Sequence, residues 1–547
     1  MKFPTKQLSR ALLSSLAVVP AFLSAQTRSI EDVRQIAKTF FCQQSPELAT
    51  RGDKAIEYYP SSAFIEGVSG QEVFYLCNMP AEGFVLVSTD AALPEIFGYS
   101  PVAYDTHREL PAGLVGLMKS YATLSDPASV LAPLSAQASV APMLTTKWDQ
   151  GDPFNRMCPR DGATRAMVGC VATAAAQVMK YYRWPEKKGT GKISYVTNSR
   201  KISVSVDLSE NTLAWDLMLD EYVPDKFSNA QANAVAKLMY TVGAACRMDY
   251  SYAESGSSLI DVAQGLSQYF GYDKDMCLLY GDIIRADTWN EVIVNEINQS
   301  RPVLFSGAEA NGSGHAFVLD GYDTQSGNIY YHINWGWSGS GDGYYLLSNL
   351  TPSGTGIGAG MATYNNVQLI LLNCQPDDGK ANPRYAQVDA ISLSKTSFNS
   401  GEDILLDLEL KNVFCMLTSD FSGSLQFEFV NESGIVLSEE TLKDVSIPSG
   451  QGIKGTLQNF YTKALPDGIY TLRMYLKTSD GQSIQCFPYT PWPKFVVGNV
   501  EDGIATIDQD MAPSSVYGVM GTPIKTASKQ SLPAGFYVID NQKVIIR

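Results

Sequence analysis

At about 150 residues per domain, a chain of 547 residues has room for three or four domains. Hydrophobic residues make up 45% and charged residues 18%, enough for true cores, which excludes a disordered chain or a small disulfide-stapled scaffold. The net charge of −15 argues against nucleic acid or anionic lipid as a partner, and three histidines without metal-ligand spacing argue against a zinc enzyme and imply no cofactor.

At the N-terminus, Lys2, Lys6 and Arg10 precede the apolar run 11–23, and Ser24-Ala25 supply small residues for cleavage before Gln26. Basic, then apolar, then small is the pattern of a secretory signal peptide, here residues 1–25. The run is short and interrupted by Pro20, and no later segment is long enough for a transmembrane helix. The expected protein is exported, and either secreted or held at the cell surface by something other than a helix. There are nine cysteines, Cys42, Cys77, Cys158, Cys170, Cys246, Cys277, Cys374, Cys415 and Cys486, and no CxxC. Export permits disulfides but the spacing assigns none, and the odd count leaves one thiol for a task of its own.

Ser29-Ile30-Glu31-Asp32 reads as a capping box, followed by Val33, Ile36, Ala37, Phe40 and Phe41 at helical spacing. Strands are expected at 73–77 and 84–88, and a second helix at 114–121. Residues 26–143 thus form a small α+β domain to about 122 and then a nearly uncharged linker, 123–143, open to proteases. Residues 144–375 are dense in Trp, Tyr and Gly and mix helical with strand patterns. Strands expected at 404–410, 423–430, 453–460, 468–475 and 495–497 make 383–500 an antiparallel β-sandwich. A last module, 501–547, carries two strand pairs around Leu532-Pro533-Ala534-Gly535.

The chemistry lies in 144–375. Gly169-Cys170-Val171-Ala172-Thr173 opens a strong helix former that Trp184-Pro185 stops, so Cys170 stands at a helix N-terminus, where the dipole and free N–H groups favour a thiolate. A buried structural cysteine on an Ala-rich helix is the plain alternative. His315 follows by 145 residues (315 − 170), opening an apolar strand after Gly312-Ser313-Gly314, and Cys before His at this spacing is the order of papain-like enzymes. His332, mid-strand among bulky residues, is the competing base and the weaker one. Asn334-Trp335-Gly336-Trp337 ends a strand that pairs with the His315 strand through a turn at 323–328. Asn334 could accept the ring N–H and Trp335 could cover that bond, although Trp337 serves equally well as core filling. Donors for an oxyanion would be the Cys170 N–H and Gln150, in Lys147-Trp148-Asp149-Gln150-Gly151.

On these residues the chain resembles the streptopain family of secreted papain-like cysteine peptidases. The matching blocks run from Trp148 to Asn155, then Gly169-Cys170-Val171-Ala172-Thr173 with Gln177-Val178-Met179-Lys180-Tyr181, and Phe270-Gly271-Tyr272. They continue with Gly314-His315-Ala316-Phe317-Val318, Asn334-Trp335-Gly336-Trp337 and Asp342-Gly343, while Gly354-Thr355-Gly356-Ile357-Gly358 resembles a mobile loop beside the cleft. Gly83-Phe84-Val85-Leu86-Val87-Ser88 with Pro94-Glu95-Ile96-Phe97-Gly98-Tyr99-Ser100 resembles the family's inhibitory propeptide. The resemblance implies an α+β protein with a papain-like catalytic domain, an α+β prodomain over 26–143 that covers the cleft, and the C-terminal β-sandwich. It implies Cys170 as nucleophile, His315 as general base and acid, Gln150 as oxyanion donor and Trp335 as a shield, with Asn334 or a backbone carbonyl orienting the ring. Its implied partners are protein or peptide substrates and the chain's own prodomain. The 501–547 module resembles terminal modules of exported proteins from Gram-negative bacteria, some of them sorting signals. Two other readings use the same residues: a silent adhesin on a peptidase scaffold, and a thiol acyltransferase.

Overall fold

The capping box at Ser29 closes in both directions: Ser29 Oγ accepts from Asp32 N, and Asp32 accepts from Ser29 N at 2.7 Å. Helix α1 (Ile30–Gln44) follows and buries Val33, Ala37, Phe40 and Phe41. This is a computed structural model that describes residues 27–45, 56–65, 72–122, 139–308, 314–347, 367–498, 516–518, 535–539 and 542–546. The expected signal peptide, most of the linker and the glycine-rich loop at 354–360 lie outside the described residues.

Beneath α1, the strands Glu57–Pro60, Phe74–Met79, Gly83–Ser88 and Ile96–Ser100 form an antiparallel meander. Helix α2 (Ala112–Tyr121) then buries Leu114, Leu117, Met118 and Tyr121. The meander does not end in solvent. Ile96–Ser100 pairs antiparallel with Gly343–Leu346, Tyr99 opposite Tyr344 and Gly98 opposite Tyr345, so the N-terminal strands continue into the sheet of the central region. That sheet goes on through Asn328–Asn334, Gly314–Gln325, Val303–Ala308, Val367–Leu372 and Cys277–Tyr280.

Helices α3 (Cys170–Tyr182), α4 (Asn229–Ala245) and α5 (Leu259–Phe270) pack together on one side of this sheet, and α6 (Ala286–Asn298) lies on the other. Strand alternation divides the two cores. Phe317 and Leu319 join the core shared with the N-terminal unit, while Ala316 and Val318 join the core around α3. No helix among the described residues is long and apolar enough to cross a membrane.

The C-terminal strands form one nine-stranded sheet that folds back on itself, bringing Phe427 onto Phe460 at 5.0 Å from strands far apart in the sheet order. The pairing is antiparallel with two exceptions. Tyr385–Leu393 runs parallel to Ser483–Pro488, and Ser397–Phe398 runs parallel to Lys494–Val497. Both exceptions join segments far apart in the chain, where no hairpin imposes the antiparallel sense. This sheet docks on the edge strand Cys277–Tyr280: Leu278 N donates to Met416 O at 2.9 Å, and the Gln387 amide bonds both N and O of Tyr280. Val516–Gly518, Gly535–Ile539 and Gln542–Ile546 form a three-stranded antiparallel sheet.

Candidate active site

Helix α3 begins at Cys170, and its N-cap is Gly169 at φ +90°, a conformation that L side chains rarely adopt. A Cβ there would also stand 2.7 Å from Ser255 O, so both backbone and space demand glycine. No side chain caps the helix, and its first-turn N–H groups stay directed at the start of the helix, beside the Cys170 sulfur. From Val171 to Met179 every residue of α3 is buried, which fixes the helix while Cys170 itself stays partly exposed.

His315 comes from the other side of the cleft, at the start of the strand Gly314–Gln325. It is buried, with 5% of its surface exposed. Cys170 and His315 interact through charge and a side-chain hydrogen bond. Burial alone would raise the Cys170 thiol, but the His315 charge, that hydrogen bond and the N–H groups of Ala316 and Val171 together hold it below the usual thiol value. Burial would lower the His315 imidazole, but the Cys170 charge, the same bond and the Trp335 carbonyl raise it above 6.5. The pair therefore favours thiolate and imidazolium. All nine cysteines are free. By contrast, burial pushes Cys77, Cys158, Cys277 and Cys415 up to about 12, and it also raises Cys246, Cys374 and Cys486.

The ring of His315 is held through main chain. Its Nε2 lies 3.0 Å from the carbonyl oxygen of Trp335. Of the two acceptors left open by the sequence, the Asn334 side chain and a backbone carbonyl, the ring meets the carbonyl. Asn334 is committed elsewhere: Nδ2 donates to Thr146 O at 2.7 Å, and Oδ1 accepts from Gly336 N at 3.0 Å and from Gln177 Nε2 at 2.9 Å. Since Gly336 N and Trp335 O belong to one peptide unit, Asn334 steadies the acceptor of His315 from behind. Trp335 is fully buried, its indole donating to Gly341 O, and the Trp337 ring stands edge-on to His315 at 6.1 Å.

Gln150 is tied to the same place from the chain before α3. Its carbonyl accepts from Val168 N, two residues ahead of Cys170, and its N–H donates to Asp149 Oδ1 at 2.6 Å. The other Asp149 oxygen accepts from Ser338 Oγ, also at 2.6 Å, linking the Gln150 turn to the Trp335 segment. His332 is not at the cleft. It is buried against Asp320, Nδ1 to Oδ1 at 2.6 Å, and Asp320 also accepts from Leu144 N. Burial would lower the His332 imidazole, but Asp320 raises it.

Two contributors stood in the matching blocks but were given no role from the sequence. Gln177, two turns along α3 from Cys170, is fully buried and holds Asn334, Thr146 Oγ1 and Trp148 N. A lone amide on an otherwise apolar helix face was the available signal. Asp342 accepts from Trp335 N at 2.9 Å.

The N-terminal unit covers this arrangement. Pro111 and Leu114 press on Gly341, and Tyr121 donates to carbonyls of both sheet halves, Phe97 O and Leu346 O. Ser100 Oγ donates to Asp342 O at 2.6 Å.

Residues 148–345 match the peptidase C10 family, and residues 25–123 match the Spi protease inhibitor family. The chain is 30% identical to streptopain of Streptococcus pyogenes serotype M1 over 410 residues, which are 68% of this chain and 99% of streptopain. It is 29% identical to the thiol protease/hemagglutinin PrtT of Porphyromonas gingivalis over 421 residues, 72% of this chain but only 46% of PrtT. Among solved structures, a fragment of Prevotella intermedia prointerpain A is 27% identical with a TM-score of 0.47, covering 59% of this chain and all of that fragment.

Proposed function

The chain belongs to the peptidase C10 family, and from that premise we propose that it is an exported cysteine endopeptidase, made as a precursor whose cleft is covered by residues 26–143. The observation that carries the reading is the Cys170–His315 pair, in which the thiol is lowered and the imidazole raised. The Cys170 thiolate attacks the scissile carbonyl carbon, forming a C–S bond and an oxyanion. The Cys170 N–H and the Gln150 amide donate to that oxyanion. His315 gives its proton to the leaving amine as the C–N bond breaks. It then takes a proton from the water that releases the acyl group. Trp335 supplies the carbonyl that keeps the ring turned toward Cys170.

Inhibition by coverage is supported by the persistence of the Cys170–His315 interaction beneath α2. Displacement of the histidine would have broken it. The basic-apolar-small start supports a signal peptide over 1–25 and a secreted or surface location in a Gram-negative cell. On this reading 144–375 is the catalytic domain, 383–500 an accessory sandwich, and 501–547 a sorting module.

Cys170→Ala and His315→Ala should each abolish cleavage of a denatured protein with the fold retained, a loss of several orders of magnitude. Retained cleavage in Cys170→Ala would overturn the reading. Adding an amine nucleophile to the wild-type reaction tests acyl transfer: amide exchange outrunning hydrolysis would make the chain an acyltransferase.

A further inference from the structure

We propose that Asp342 is a positioning residue for His315, acting through Trp335. The inference rests on the reading of Cys170 and His315 as the reacting pair. The histidine depends on one main-chain carbonyl, that of Trp335, for its orientation. A carbonyl carries no rotamer of its own, so its direction is set by whatever holds the residue on either side. After Trp335, the holder is Asn334 on Gly336 N–H, and around the indole it is Gly341 O. Before Trp335, it is the Asp342 carboxylate on Trp335 N–H at 2.9 Å. Asp342 is the ionisable member of this set. A carboxylate accepting from a backbone N–H makes a stronger and better-aimed bond than a neutral acceptor.

Asp342 is placed so that its charge matters in the working range. Burial pushes its carboxyl up to about 7, opposed by the Trp335 N–H, His332 and Lys147 and reinforced by Asp320. Tyr345, three residues further on in the strand that Asp342 leads into, also senses its charge. Above that value the ionised carboxylate grips Trp335. Below it the protonated acid is a weaker acceptor, and the Trp335 carbonyl loses one of its fixed ends. The main-chain oxygen of Asp342 is at the same time the atom that Ser100 of the N-terminal unit holds, so this residue is common to the histidine support and to the covering unit.

The test is the pH profile of kcat for the matured chain, trimmed of its N-terminal unit, with reactive thiols counted by an alkylating epoxide. Wild type, Asp342→Asn and Cys170→Ala are run together. Wild-type kcat per counted thiol should fall, as pH drops, through an inflection set by the protonation of Asp342. Asp342→Asn, with a fixed neutral acceptor, should lose that inflection and run about tenfold lower on the alkaline side, KM unchanged. A purely structural role would reduce the number of countable thiols and leave the inflection in place. An Asp342→Asn profile superimposable on wild type overturns the proposal. Wild type no faster than Cys170→Ala overturns instead the reading beneath it. If Asp342→Asn does not fold, imidazole nitrogen shifts in the Cys170→Ala precursor decide. With three histidines in the chain the signals are separable, and a His315 signal that ignores the Asp342 titration overturns the proposal.

Discussion

A Cβ placed on Gly113 would lie 2.7 Å from Cδ2 of His315 and 2.6 Å from the Trp335 ring, so α2 rests directly on the imidazole. Trp335 is fully buried and cannot yield. Gly113→Leu should therefore lift α2 and raise hydrolysis of a small peptide by the uncut precursor by about tenfold or more, since overpacking costs about 1–3 kcal/mol. The readout is the ratio of precursor to trimmed-enzyme rates. A silent precursor in this variant would mean that coverage does not act through this contact.

The Cys170–His315 pair has a definite pH signature. The thiol is lowered from 9.0 and the imidazole raised from 6.5, so each group favours the charged form of the other. Acid removes the thiolate by protonating it, and alkali removes the imidazolium. Alkylation of Cys170 should thus proceed at pH values where Cys77, Cys158, Cys277 and Cys415, pushed up to about 12, stay inert. Mass mapping of label against pH checks this, and equal labelling of several thiols at neutral pH would contradict it.

His332 has a stability role. Its imidazole is raised by Asp320, so the pair's contribution is full below about 6.5, the unfolded value, and is lost as pH rises through the higher folded value. His332→Ala leaves Asp320 buried without its partner and should cost about 3–5 kcal/mol, while the maximal kcat per folded molecule stays near wild type and only the Asp342 inflection moves to higher pH. Denaturant melts and active-thiol counts measure the two separately. A variant that melts normally but is inactive would make His332 the base.

Gln150→Ala should lower kcat by roughly 10²–10³, the usual effect of removing one oxyanion donor, and leave the alkylation rate of Cys170 unchanged. A drop in both rates would instead assign the Gln150 side chain to shaping the cysteine turn.

Cys170 and His315 were legible because each sits in a local pattern with its own chemistry, a glycine before a helix and a glycine turn before a strand. The ring's acceptor was not, because it is a backbone carbonyl, and no residue type marks which carbonyl will face a histidine. Asn334, one residue away, was the side chain that looked suitable, yet its oxygen meets Gln177 from 157 positions earlier. Of the small α+β unit, Phe74–Met79 and Gly83–Ser88 were readable as apolar runs, whereas Glu57–Pro60 and Ile96–Ser100 were not expected; five of the C-terminal strands were readable as well. Val436–Ile447 was not, since it is an edge strand exposed along most of its length with polar residues on both faces. Tyr385–Leu393 and Ser483–Pro488 are joined in parallel across about a hundred positions, a pairing no local signal announces.

The pairing of Tyr99 with Tyr344 has a consequence for the trimmed molecule. While the N-terminal unit is present, Gly343–Leu346 is an interior strand, flanked on both sides. Once that unit leaves, the same strand becomes a boundary, with its outward N–H and C=O groups unmatched and Tyr344 stripped of the ring that stacks on it at 5.1 Å. Maturation therefore opens a seam as well as a cleft. The trimmed form, more than the precursor, is the one whose solubility depends on concentration, and it should self-associate along that seam unless another extended chain occupies it.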